Sequence, residues 1–166
     1  EGLLYWRTDT HWNNKGAYLA FSALMKELNL NHPRIQFELN GGYTGDLIRI
    51  SNLNAFPIHA DDNWTQNVLT DDHLEVTPNP KQKDPSDMYR VRWEGTVKNG
   101  KAVNDLVVWV LGDSFSHMLK PYLNESFSKI RYIGHWDNKL DDLPTIIETS
   151  IDKPDLVLIV RVERSF

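Results

Sequence analysis

The chain has 166 residues, enough for one domain with a real core. Its apolar fraction of 40% and charged fraction of 25% fit a folded globular chain, and a net charge of -5 leaves no electrostatic footprint for nucleic acid. Zero cysteines exclude disulfides and thiolate chemistry, and no apolar run approaches the length of a membrane span.

Asp9-Thr10-His11-Trp12 is the first informative segment. On an extended segment, residues two apart project to the same side, so Asp9 can hold the His11 imidazole in one tautomer. Asn13 and Asn14 are N-cap candidates for a helix over 15–28, with Ala17, Phe21, Leu24, Met25 and Leu28 on its buried face. His11 then precedes a helix N-terminus, whose dipole disfavours an imidazolium and keeps the ring able to accept a proton. The glycine-rich stretch 41–45 reads as a flexible loop before a short helix beginning near Asp46.

Residues 52–105 read as an insertion, punctuated by Pro57, Pro78, Pro80 and Pro85, with neither helical nor strand period dominant. Within it, 88–93 alternates like a half-exposed strand, and Asn99-Gly100 signals a two-residue hairpin. The last third alternates strand and helix. Strands are expected over 106–111, 130–133 and 156–160, and helices over 115–127, broken at Pro121, and 143–150. Such units imply a parallel sheet flanked by helices, with ligands bound beyond the carboxyl ends of its strands. Gly112-Asp113-Ser114, Gly134-His135-Trp136 and Arg161 all follow strand ends.

A serine at a strand end just before a helix is where an exposed nucleophile sits, and also where a plain helix cap sits. With Asp9 and His11 earlier in the chain, Ser114 completes an acid, a base and a nucleophile for acyl transfer. The Ser114 backbone N–H is the expected donor to a tetrahedral oxyanion. His117, one helical turn on, is a rival base without an acid partner at Asp-x-His spacing. Trp12 reads as an anchor that steadies the loop. Two-metal phosphoesterases also begin with Asp-x-His, but Ser116 stands where their second acid belongs, so no metal and no cofactor is expected.

Gly112-Asp113-Ser114 resembles the nucleophile block of SGNH hydrolases. Asp9-Thr10-His11-Trp12, with Asn14 and Gly16-Ala17 after it, is similar to the acid–base block of the alginate O-acetyltransferase family, whose SGNH-like domain has acid and base before the serine. Gly45-Asp46-Leu47, Pro121-Tyr122-Leu123 with Phe127, Pro154-Asp155-Leu156-Val157 and Val162-Glu163-Arg164 extend the resemblance over nearly the whole chain. A later Gly-x-Asn-Asp block, which completes the oxyanion hole in typical SGNH enzymes, has no counterpart here.

The resemblance implies an α/β, SGNH-hydrolase-like domain with a β-hairpin or loop insertion in its middle. It implies Ser114 as nucleophile, His11 as base and Asp9 as orienting acid. The chemistry implied is acetyl transfer to a hydroxyl of a secreted or cell-surface polysaccharide, outside the cytoplasm, with acetyl groups supplied by a membrane acyltransferase. Trp12, Trp136 and Arg161 are candidates for the sugar site. Residues 1–166 are expected to form one domain, and the absence of an initiator Met reads as a fragment or mature form. The alternatives are an acetylesterase of the same fold and an inactive carbohydrate-binding module.

Overall fold

The computed structural model describes residues 2–53, 59–66, 71–80, 84–90, 92–134 and 139–162. Helix α1 spans Asn14–Glu27 and starts where the sequence places it. Asn13 caps it by accepting from the Gly16 N–H, and Ala17, Phe21 and Met25 recur every fourth residue on its buried side. The strand β1 (Phe37–Tyr43) pairs antiparallel with β2 (Asp61–Gln66), and the short helix α2 (Asp46–Ile50) lies between them in sequence. The stretch expected to be a flexible loop is thus partly strand. Gly41, at φ 74°, takes up the register shift between Leu39 and Gly42.

The main sheet contains β3 (Leu74–Pro78), β4 (Gly95–Asn99), β5 (Asn104–Gly112), β6 (Phe127–Gly134) and β7 (Leu156–Val160). Their spatial order is β3-β4-β6-β5-β7. β6, β5 and β7 run parallel, as expected, but β4 is antiparallel to β6 and β3 to β4, so the sheet is mixed. The middle segment therefore supplies two strands of the main sheet. Its antiparallel pair is β3 with β4, and the Asn99-Gly100 hairpin does not form, because β6 lies between β4 and β5. Asn99 instead makes a local turn. Its Oδ1 accepts from the Lys101 N–H, and its amide donates to the Asn124 carbonyl.

Among the described residues of 88–93, where the alternation predicts a strand, none is in one. Pro85–Tyr89 is a 3₁₀ turn, started by Asp84, whose carboxylate accepts from the Ser86 N–H, and by proline at its first position. Met88 and Trp93 are buried all the same, 3% exposed each, although five residues apart they would face opposite ways on a strand. Past β5, Ser114–Leu119 is another 3₁₀ turn, followed by α3 (Lys120–Ser126) with Pro121 in its first turn.

Both faces of the sheet centre are covered. Val108 and Val110 of β5 face α1 and α3, packing with Phe21, Met25, Tyr122 and Leu123. Trp109 and Leu111 face the other way, onto α4 (Leu143–Thr149) and Ile133. This two-sided burial explains why β5 reads as an unbroken apolar run. Each such side chain contributes about 1.5–3 kcal/mol. No helix among the described residues is long and apolar enough to cross a membrane.

Candidate active site

The carboxyl ends of the parallel strands form one rim, where Gly112 is level with Gly134 and Val160. Asp113 organises this rim. One of its carboxylate oxygens accepts from the Phe115 N–H at 2.8 Å, capping the 3₁₀ turn, and the other accepts from the Val162 N–H at 2.7 Å, beyond β7. The chain thereby bends sharply at Ser114. A side chain at Gly112 would put its Cβ 2.3 Å from the Ser116 Cβ, so this tight exit from β5 requires glycine. Ser114 is the first residue of the turn, so its backbone N–H has no partner within that turn.

The N-terminal segment crosses this rim. The Asn13 N–H and side-chain amide donate to the carbonyls of Leu4 and Leu3, and Tyr5 bridges Trp12, so residues 4–13 double back on themselves. The Trp12 indole N–H donates to the Phe115 carbonyl at 3.2 Å, tying this loop to the serine turn. Trp12 is therefore an anchor, as its sequence position suggested, and it is not among the residues lining the adjacent cleft.

Residues 7–11 follow bends and not an extended strand. Asp9 and His11 meet for a different reason: Asp9 Oδ1 accepts from both the His11 backbone N–H at 2.9 Å and its ring Nδ1 at 2.6 Å. His11 Nε2 lies 2.8 Å from Ser114 Oγ, across 103 residues of sequence. The structure thus brings together the three residues that the sequence singled out.

Asp9 is 7% exposed, and both of its oxygens are engaged. Its second oxygen accepts from the Tyr43 hydroxyl at 2.6 Å and from the Asp46 N–H at 3.1 Å. Burial pushes this carboxyl up, but the hydrogen bonds from Tyr43, His11 and the two backbone N–H groups outweigh it and hold the pKa below its ordinary value. An ionised Asp9 can only accept, so Nδ1 of His11 carries a hydrogen and Nε2 offers a lone pair to the Ser114 hydroxyl. Burial and the Asp9 charge push the Tyr43 phenol well above its ordinary value, keeping it a donor.

An outer layer fixes Asp9. Asp61 accepts from the Thr8 N–H and hydroxyl and from Arg7, and the Thr8 hydroxyl accepts from the Gly45 N–H. Asp46 accepts from the N–H and hydroxyl of Thr10. Of these supports the sequence reading missed Tyr43, Asp61 and Thr8, because none sits at a recognisable spacing from Asp9. It named Asp113 and Asp46 only as parts of motifs.

Asp9, His11 and Asp46 lie close enough to hold a metal ion. Their donor atoms are, however, already committed: Asp9 to four N–H or O–H donors, Asp46 to Thr10, and His11 Nδ1 to Asp9. A cation there would have to break this network.

His117 is not placed as a rival base. Its Nδ1 contacts the Ser114 backbone carbonyl rather than Oγ, and its ring sits edge-on to His11, centroids 5.8 Å apart. Burial pulls its pKa down, so the ring stays neutral.

A cleft of about 480 Å³ opens beside His11. Trp6, Tyr43 and Tyr89 supply aromatic surface, Asn14, Asn63 and Gln66 supply amides, and His117 and Met118 close the side nearest the serine turn. Arg161 follows β7, half-buried, and is not among the lining residues. Trp136, like His135, Asp137, Glu163 and Arg164, lies outside the described residues.

No family model matches the chain, and no curated protein matches it in sequence. Its fold is nevertheless shared with solved bacterial proteins. PatB1 from Bacillus cereus, in a structure with a sulfonyl adduct, superposes on 98% of this chain with a TM-score of 0.71, at 16% identity and over 61% of its own length. A DHHW family protein from Eubacterium siraeum superposes on 96% of this chain with a TM-score of 0.64, at 14% identity and over 59% of its own length. The O-acetyltransferase domain of Pseudomonas putida AlgJ, 18% identical, aligns with 99% of this chain and 58% of its own at a TM-score of 0.40, too low to mark a common fold. The chain thus spans about three fifths of the solved chains whose fold it shares.

Proposed function

We propose that this chain is the SGNH-hydrolase-like domain of a polysaccharide O-acetyltransferase that works through an acetyl-serine at Ser114. The observation that carries the reading is the row in which His11 stands 2.8 Å from Ser114 Oγ and 2.6 Å from Asp9.

His11 Nε2 takes the hydroxyl proton as Ser114 Oγ bonds to the acyl carbon, and the carbonyl electron pair moves onto oxygen. The Ser114 N–H, which has no partner within its turn, is the donor this reading assigns to that oxyanion. The intermediate collapses, the bond to the leaving group breaks, and the leaving group takes the proton from His11. In the second half an acceptor hydroxyl gives its proton to His11 and attacks the acetyl carbon. The Ser114 Oγ–carbon bond breaks, and Oγ recovers the proton. Asp9 stabilises the imidazolium in both halves.

One observation supports a sugar as acceptor, and another supports an activated serine nucleophile. The cleft combines rings that pack on sugar faces with amides that bond to hydroxyls. A sulfonyl adduct, as carried by the similarly folded PatB1 structure, is what an activated nucleophile leaves on meeting a sulfonyl electrophile. On this reading the domain acts outside the cytoplasm, as part of a longer protein, on acetyl groups delivered by a membrane acyltransferase.

The test is product analysis with an activated acetyl ester, with and without oligosaccharides. Acetylated sugar and an adduct on Ser114 are expected. Free acetate alone, at every acceptor concentration, would leave an esterase. An adduct formed equally by Ser114→Ala would remove the nucleophile assignment.

A further inference from the structure

We infer that His117 is the residue that orients the acceptor, by accepting a hydrogen bond from a hydroxyl vicinal to the one being acetylated. The inference rests on the acetyl-serine reading above and adds a specificity to it.

A carbonyl oxygen only accepts, so the contact between His117 Nδ1 and the Ser114 carbonyl requires the hydrogen on Nδ1. The neutral ring then has its lone pair on Nε2. Among the described residues no protein group bonds to that atom, and His117 lines the cleft. The ring is fixed at the other end by the same serine whose side chain reacts. It is therefore held in place and still offers an acceptor to the cleft.

The His11 and His117 rings stand edge-to-face with centroids 5.8 Å apart. His11 Nε2 must receive the proton of the attacking hydroxyl, so that hydroxyl lies against His11. A second hydroxyl on the adjacent carbon then falls towards His117. Tyr43 and Trp6 stack 4.2 Å apart and offer an aromatic wall to the carbon skeleton of the same ligand. The acceptor class that fits is a vicinal diol, as found on sugar rings. A monohydroxyl alcohol would leave Nε2 facing only water.

The experiment uses an activated acetyl ester as donor and compares trans-1,2-cyclohexanediol with cyclohexanol as acceptors. The readout is the ratio of acetylated alcohol to free acetate, taken within each protein so that a general loss of acylation cancels. The unaltered chain is expected to favour the diol by about tenfold, the scale of one lost hydrogen bond in a binding site. Two variants separate position from packing. His117→Asn keeps a donor for the Ser114 carbonyl but removes the Nε2 acceptor, so its diol preference is expected to vanish. His117→Gln places an acceptor oxygen near Nε2, so it is expected to keep most of the preference. Equal use of both alcohols by the unaltered chain, or a diol preference untouched in His117→Asn, would overturn the assignment while leaving the acetyl-serine intact. Absence of any adduct on Ser114 would instead overturn the underlying reading, and this inference with it.

Discussion

The Tyr43 hydroxyl donates to Asp9 at 2.6 Å, on the carboxylate oxygen that His11 does not use. Tyr43 is stacked on Trp6, so the phenol is held in place rather than free to leave. Tyr43→Phe should therefore destabilise the fold by about 1 kcal/mol and lower acetylation of Ser114 by about tenfold, through a less firmly held Asp9. The sign of the pH effect follows from the depressed Asp9 carboxyl. Stability from that depression is present above the ordinary carboxyl pKa of 3.8 and is lost as pH falls through the folded value. Melting curves of the two proteins should differ most near neutrality and converge in strong acid. A difference independent of pH would mean that Tyr43 acts through packing alone.

Gly45 leaves no room beside Asp9. A Cβ there would come within 2.3 Å of the Asp9 Cβ and 2.5 Å of its carboxylate. Gly45→Ala should displace Asp9 or the loop behind it. The expected result is a fall in Ser114 acetylation of at least about tenfold, exceeding what the fold's loss of about 1–3 kcal/mol would produce. Adduct formation and urea unfolding measured on the same protein would separate the two effects. Undiminished acetylation would show that the loop yields easily.

The pair Asp9 and His11 was legible in the sequence although its geometric reason was not. Spacing of two suits a strand, yet the segment bends, and Asp9 instead captures both the N–H and the ring of His11. Ser114 was legible because β5 is buried on both faces and ends abruptly. The β7 strand, at 156–160, matched because a short apolar run between turn residues has few other uses. The middle segment was opaque for a physical reason. β3 and β4 lie on the antiparallel side of the sheet, and β6, far on in sequence, separates β4 from β5. Nothing local in Asn99-Gly100 announces such an intervening strand. Likewise the hydrogen-bond donors holding the second oxygen of Asp9 come from residues 34 and 37 positions away, linked by folding and not by motif.

Acetylation of Ser114 should survive a chelator and gain nothing from added divalent ions. Asp46, a possible third ligand beside Asp9 and His11, already accepts from the Thr10 N–H and hydroxyl at 2.9 Å each. Asp46→Asn keeps an acceptor for Thr10 but removes the charge a metal would need. It should retain most activity, within about tenfold, whereas Asp9→Asn should lose about 10⁴-fold by letting the imidazole adopt the wrong tautomer. Activity lost to a chelator and restored by a divalent ion would bring back the phosphoesterase class.

Lys120 is 2% exposed, at the junction of the serine turn and α3. Its ammonium donates to the carbonyls of Met88 and Arg90, on either side of the cleft residue Tyr89. Burial pulls its pKa down to about 7 from an ordinary 10.5. The unfolded chain therefore binds a proton between these values that the folded chain releases. Stability associated with Lys120 is present above the ordinary value and lost progressively as pH falls towards 7. Urea unfolding from pH 7 to 10 should thus show stability rising with pH, by up to about 1.4 kcal/mol per unit. The buried phenols Tyr122 and Tyr132, pushed above their ordinary 10.0, oppose this only at higher pH. Lys120→Met preserves much of the side-chain volume and removes the titrating group, so its curve should be flat over the same window. It should also weaken the cleft wall at Tyr89, raising the acceptor KM more than it lowers the acylation rate. A flat curve in the unaltered chain would mean that the two carbonyls compensate the ammonium fully for its burial.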